Sequence, residues 1–150
     1  MDENNILKFR ETPESREKRA QEISRHIIDL TTEIYNKFGD YHKRLLTLPK
    51  LADVESESTV LVEDLVEKLD DFVFKRLAEI SRILASDEYT KLRDDAIQNK
   101  DVKTEKILED AWDAQKKLSA KISIYLDHSP SDAISLAEYI DVLSIFDPED

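Results

Sequence analysis

Apolar residues recur every three or four positions along most of this chain, which is the spacing of one face of an α-helix. The clearest run follows Thr12 and Pro13, where a capping threonine precedes a proline in the first helical turn. The only glycine, Gly39, stands where a left-handed residue would end the helix. We therefore predict a first helix over residues 13–38, preceded by an arm over residues 1–12. Its apolar positions are Ala20, Ile23, Ile27, Leu30, Ile34 and Phe38.

The stretch after Gly39 has weaker signals. Asp40 is a candidate cap for a short turn, Pro49 interrupts the pattern, and alternating Glu and Ser residues indicate an exposed connection. The second helix is expected to begin between Asp53 and Val60.

Residues 60–77, VLVEDLVEKLDDFVFKRL, separate into two sectors when placed on a helical wheel. One sector, continued to residue 84, is apolar: Val62, Leu65, Val66, Leu69, Phe72, Val73, Leu77, Ile80 and Leu84. The other is charged: Glu63, Asp64, Glu67, Asp70, Asp71 and Lys75.

Two residues, Arg76 and Phe74, do not fit these two sectors. Arg76 falls among the aliphatic residues, so we expect its stem to cross them and its guanidinium to reach water or an acid on another helix. Phe74 falls among the acids and is either packed under a loop or exposed at a contact surface.

The rest of the chain predicts three further helices. Ser86 either caps a new helix to about Gln98 or lies within a helix that continues without a break, and a long helix should cover roughly residues 102–127. Trp112 is expected in the core or lining a groove rather than as an exposed anchor. Ser129, Pro130, Ser131 and Asp132 form a capping-box signal for a last helix, which Asp147 and Pro148 end. We therefore expect an all-α protein, an antiparallel bundle of four main helices with one or two short extra ones, in a single domain over residues 1–150. Residues 147–150 form an acidic tail.

Composition narrows the class of protein. Without cysteine, the chain has neither disulfides nor a thiolate zinc site. We find no signal peptide and no apolar run long enough for a membrane span, so we expect a soluble cytoplasmic protein.

The net charge of −12 is concentrated in two places. Residues 53–71 hold eight acids and one lysine, and residues 129–150 hold six acids and no basic residue, whereas residues 1–49 and 72–128 are neutral. The negative electrostatic field of these segments repels nucleic acid and attracts basic proteins. We therefore expect a protein partner with a basic surface or channel and no direct binding to nucleic acid.

Glu63, Asp64 and Glu67 resemble the first half of the E-E-x-x-E magnesium motif of the all-α nucleoside triphosphate pyrophosphatases. The second half of that motif, E-x-x-D, lies on a following helix, and the nearest match is Asp110 with Asp113, which has Asp where Glu is expected. The resemblance implies, as an alternative, a magnesium-dependent pyrophosphohydrolase. A solvated face or a partner-binding surface is the competing interpretation of the same acids.

No other motif indicates catalysis or a cofactor. His26, His42 and His128 lack the spacing of a metal site, and we find neither a nucleophile motif nor a glycine loop for phosphate. His128 is instead expected to stabilise the end of the long helix.

Two non-enzymatic functions remain. The first is an adaptor or regulatory subunit that docks a protein through the last helix and through acids. A second copy of the chain, in a homodimer, is an alternative partner. The second is an acidic mimic of nucleic acid that inhibits a polymerase, a nuclease or a DNA-binding protein. The residues expected to bind the partner are Glu63, Glu67, Asp70, Asp71, Phe74, Tyr139, Ile140, Leu143 and Phe146.

Overall fold

A computed structural model describes residues 12–47, 55–127 and 136–146 of the chain. Within these ranges it contains five α-helices and a final 3-10 turn over Ser144–Phe146. The helices are α1 (Pro13–Thr47), α2 (Glu55–Leu84), α3 (Asp87–Gln98), α4 (Val102–Asp127) and α5 (Leu136–Leu143). The predicted all-α helical bundle is confirmed. The single domain over residues 1–150 stays a prediction, and the N-terminal arm up to residue 11 and the acidic tail lie outside the described residues.

Helix α1 is the centre of the bundle, because α2, α3, α4 and α5 all pack against it. Arg76 of α2 contacts Glu33, while Glu88, at the start of α3, contacts Arg19, so α2 and α3 run antiparallel to α1. Helix α4 then returns alongside α1. Its start lies beside the start of α1, and Tyr125 near its end contacts Phe38.

The core is continuous along α1 and is most aromatic at the end where α5 closes the bundle. The Phe38 and Phe146 rings stack with centroids 3.6 Å apart, and Tyr125 meets both rings edge-on. Aromatic pairs in these geometries add to the stabilisation from buried area. The other fully buried large residues are Ile27, Ile34, Leu45, Leu69, Ile80, Leu92, Leu108, Leu118, Tyr139 and Leu143.

The predicted end of the first helix is wrong. Gly39 and Asp40 lie inside α1, which continues to Thr47, so neither residue terminates or caps a helix. An interior glycine costs about 1 kcal/mol, whereas burying a large side chain stabilises by about 2 kcal/mol. Tyr41 and Leu45 are both buried beyond the glycine, so packing outweighs the local penalty.

The other helix boundaries agree with the sequence pattern. Thr12 Oγ1 accepts the Ser15 amide as the cap of α1, and Ser86 Oγ accepts the Tyr89 amide as the cap of α3. Helix α4 covers the predicted residues, and α2 begins at Glu55, within its predicted range. The capping-box signal at residues 129–132 lies outside the described residues, as does His128.

The corner between α3 and α4 is fixed by backbone and side-chain hydrogen bonds. The Lys100 amide donates to the Ile97 carbonyl and the Asp101 amide to the Ala96 carbonyl, the two bonds of a Schellman ending. Lys100 accordingly has a φ of 54°. Asp101 then caps α4, since its carboxylate accepts the Thr104 amide and hydroxyl at 3.2 and 2.8 Å.

Candidate interaction surfaces

The first candidate surface is a stripe along the outer side of α2 that we call the acidic stripe. It consists of Asp64, Glu67, Asp71 and Phe74, which are spaced by three and four residues and therefore lie on one helix face. All four side chains are exposed, and Phe74 has 44% of its surface accessible. Of the two interpretations of Phe74, exposure at a surface is the one that the structure supports. The Glu63 side chain lies outside the described residues.

Lysines on α2 neutralise part of the acidic stripe. Lys68 Nζ lies 3.1 Å from Asp64, and Lys75 Nζ lies 3.0 Å from Asp71. These exposed pairs one helical turn apart contribute only a few tenths of a kcal/mol each. Their lysines can therefore turn away when a partner presents a stronger positive charge.

Asp70 is separated from the stripe because it points towards the core. Its carboxylate accepts a hydrogen bond from the Tyr125 hydroxyl at 2.9 Å, and that hydroxyl lies 2.9 Å from the Tyr139 hydroxyl. Since Tyr125 uses its proton for Asp70, Tyr139 donates to Tyr125 in this chain of bonds. Burial raises the pKa of Asp70, although the bond from Tyr125 partly opposes this effect. Burial also raises the pKa of both phenols, so they stay protonated at neutral pH.

Arg76 behaves as its sequence position predicts. Its guanidinium lies 3.4 Å from the centre of the Phe72 ring, and its Nε donates to Glu33 of α1 at 2.9 Å. The predicted contact of Arg76 with an acid on another helix is confirmed.

The last helix does not present the apolar strip that we expected for docking. Tyr139 and Leu143 have no accessible surface and Phe146 has 3%, while Ile140 is half-buried against the core. Helix α5 packs between α1 and α2, and the 3-10 turn that follows it also meets α4. It needs a wide apolar face because it has several neighbours. Tyr139, Leu143 and Phe146 therefore do not form the exposed interface that we predicted.

The residues of the pyrophosphatase resemblance do not come together in the described part of the chain. Glu67 is exposed on α2, and Asp110 is exposed on α4, where it accepts a bond from Lys106 at 2.9 Å. No group of three or more acidic or histidine side chains suited to a metal occurs among the described residues. His26 lies 3.6 Å from Glu79, a surface carboxylate that also pairs with Arg82.

A second candidate surface is a groove of about 310 Å³ between α3 and α4. Helix α3 contributes Tyr89, Arg93 and Ile97, and α4 contributes Glu105, Leu108, Glu109 and Trp112. Trp112 has 44% of its surface accessible, so it lines a groove rather than filling the core. Arg93, Glu105 and Glu109 have no signal in the sequence that marks them as one site, because only the corner at Lys100 brings their two helices together.

Comparisons with protein-family models, with curated proteins and with solved structures find no match to this chain. Among the helices that the structure describes, none is long and apolar enough to cross a membrane.

Proposed function

We propose that this protein is a non-enzymatic interaction factor that binds a basic protein partner through the acidic stripe of α2. The observation that carries the proposal is the alignment of Asp64, Glu67 and Asp71 with the exposed Phe74 on one face. Acids attract the partner over a distance, and an exposed aromatic ring provides the buried contact that holds it.

The charge of the surrounding molecule supports the same proposal. The exposed acids Asp64, Glu67 and Asp71 of α2 and Asp141 of α5 belong to helices that pack against each other, since α2 contacts α5. A negative field of this kind increases the association rate of a basic protein, and salt weakens the effect.

The proposal is tested by comparing two double variants in affinity capture from an extract of the source cells. The stripe variant carries Glu67→Lys and Asp71→Lys. A control pair, Asp94→Lys and Asp127→Lys, makes the same change in net charge at exposed acids on α3 and α4. We expect basic proteins captured by the wild-type chain to be lost from the stripe variant and retained by the control pair. Equal capture by both variants would contradict a role for this face.

The dependence on salt separates this proposal from the nucleic-acid mimic. A mimic binds mainly through charge, so its affinity should collapse between about 0.05 M and 0.3 M salt, where the Debye length falls below 10 Å. A partner held also by Phe74 should retain most of its affinity at the higher salt concentration. Phe74→Ala should then remove this salt-resistant part.

A further inference from the structure

The α3–α4 groove lies at the opposite end of α1 from the acidic stripe. Asp101, at the corner of the groove, contacts Arg16 at the start of α1, whereas Phe72 of α2 contacts Lys37. We propose that this groove binds a protein segment in which a large apolar side chain adjoins a lysine or arginine. This is a second interaction surface, independent of the acidic stripe.

The apolar part of the recognition comes from the floor and the two rims. Tyr89 and Leu108 are buried and form the floor, while Ile97 and Trp112 stand half-exposed on opposite helices. The space of about 310 Å³ is at the small end of ligand sites, so it suits an anchoring side chain rather than a whole helix. A bound aromatic or aliphatic side chain would cover surface that is now in water, which is favourable.

The charged part of the recognition comes from the wall on α4. Glu105 and Glu109 are one helical turn apart on the groove side, and no described side chain makes a hydrogen bond or a salt bridge with either carboxylate, although Lys106 attracts Glu109 at longer range. The neighbouring acid Asp110, by contrast, is paired with Lys106 at 2.9 Å. Two carboxylates without a hydrogen-bonded partner, beside an apolar site, complement a basic side chain and repel phosphate groups. Arg93 on the α3 wall directs the positive charge of the bound segment towards α4.

The groove is formed before any partner binds, because both walls are fixed at their common corner. The Schellman ending holds the end of α3, and Asp101 caps the start of α4. The Arg16 Nε donates to the same carboxylate at 3.1 Å, and both side chains are largely buried, which attaches the corner to α1. A preformed site loses little entropy on binding, so a short segment can bind measurably.

The experiment uses the emission of Trp112, the only tryptophan in the chain, as a direct report from the groove. The probe is the blocked peptide Ala-Leu-Lys-Phe-Arg-Ala, titrated into the full-length protein. Two control peptides replace its phenylalanine by alanine or both basic residues by glutamate. We expect a saturable change in Trp112 emission with the probe and no saturation with either control peptide.

Variants of the protein separate the groove from general electrostatic attraction. Glu105→Lys with Glu109→Lys should weaken probe binding about tenfold, the effect of losing two exposed charge pairs. The control pair Asp94→Lys and Asp127→Lys changes the net charge equally outside the groove and should leave the affinity unchanged. Arg93→Gln should strengthen binding, because it removes a positive charge near the basic probe.

Four results would overturn the proposal. The first is that Trp112 emission does not change up to about 1 mM probe, because binding weaker than this would not be specific. The second is equal weakening by the two double variants. The third is a shift in Trp112 emission caused by Phe9→Ala alone, which would make the chain's own N-terminal residues the occupant. The fourth is an emission that depends on protein concentration without probe, which would make a second copy of the chain the occupant.

Discussion

Two carboxylates of this chain, Asp70 and Asp101, both accept hydrogen bonds from neighbouring side chains and yet their pKa values are displaced in opposite directions. Burial dominates at Asp70, where one phenol is the donor, and the pKa is raised. At Asp101 burial also raises the pKa, but bonds from Thr104 and Arg16 together lower it below the ordinary value. The number of donors, rather than depth alone, decides the sign.

Asp101 should contribute strongly to stability because it caps α4 and neutralises Arg16. We expect Asp101→Ala to lower the free energy of unfolding by about 2–4 kcal/mol, from the lost cap and the largely buried arginine left without its partner. Ser86→Ala is the matched control, since it removes a cap without an ion pair and should cost about 1 kcal/mol. Urea unfolding measures both values. A loss at Asp101 no larger than that at Ser86 would contradict the contribution of the ion pair.

The stability that Asp101 contributes depends on pH, and the lowered pKa of its carboxyl group gives the sign of this dependence. A carboxyl whose folded pKa is lowered contributes stability that is present above its unfolded value, near 3.8, and is lost as the pH falls through the folded value. The difference between the wild-type chain and Asp101→Ala should therefore be largest at neutral pH. It should shrink in acid below about pH 4.

The contribution of Asp70 to stability should depend on pH in the opposite direction. Its folded pKa is raised, so the ionised carboxylate destabilises the fold once the pH rises above the unfolded value of 3.8. Asp70→Asn keeps an acceptor for Tyr125 and removes the charge, so we expect it to be more stable than the wild-type chain at pH 7. Unfolding curves at several pH values should converge in acid below the unfolded value. A variant less stable than wild type at pH 7 would contradict this explanation.

At the scale of single elements, the interior of α1 and the end of α3 each hold a residue that is unfavourable locally. Gly39 lies within α1 without a positive φ, and no neighbouring atom lies within 4 Å of a methyl group placed there. Lys100, in contrast, has the left-handed conformation that glycine adopts without strain. A residue with a side chain would therefore be more favourable at position 39, and glycine would be more favourable at position 100.

We therefore expect Gly39→Ala to raise the free energy of unfolding by about 0.5–1 kcal/mol, through helix propensity. Lys100→Gly should stabilise the end of α3 by a similar amount. Thermal unfolding of each variant measures the change. If Gly39→Ala lowered the melting temperature, Gly39 would have a role that its helical environment does not explain.

The helices were largely predictable because caps and apolar spacing are local properties of the sequence. Ser86 and the extent of α4 follow from such signals, and so does the contact of Arg76 with another helix. The continuation of α1 past Gly39 was not predictable, because burial of Leu45 depends on distant parts of the chain. The same holds for α5, whose apolar width suggested a partner until its several neighbours were known. The α3–α4 groove depends on one corner angle, which no periodic pattern contains.

At the scale of the whole molecule, negative charge is concentrated along the sequence in residues 53–71 and 129–150. Residues 53–71 carry eight acids and one lysine, and Glu67 lies among them, one turn from both Asp64 and Asp71. Like charges at this spacing destabilise a helix by a few tenths of a kcal/mol per pair. The core of the bundle therefore offsets the repulsion among these acids of α2.

We expect Glu67→Lys to raise the free energy of unfolding by about 0.5 kcal/mol at low ionic strength, because it replaces repulsion by attraction. Asp94→Lys, in the neutral segment, should change it by less than this. Added salt should reduce the effect of Glu67→Lys, since screening acts on exposed charges. A destabilised Glu67→Lys protein would show that the acids are held in place by contacts other than those described.

The central position of α1 governs how the molecule opens. The other described helices all pack against α1, so the amides in the middle of α1 exchange with solvent only when the whole protein unfolds. The short α5 can detach while the remaining helices keep their contacts with α1. Deuterium should consequently enter the C-terminal helix first and the middle of α1 last, with a rate there that reports global unfolding.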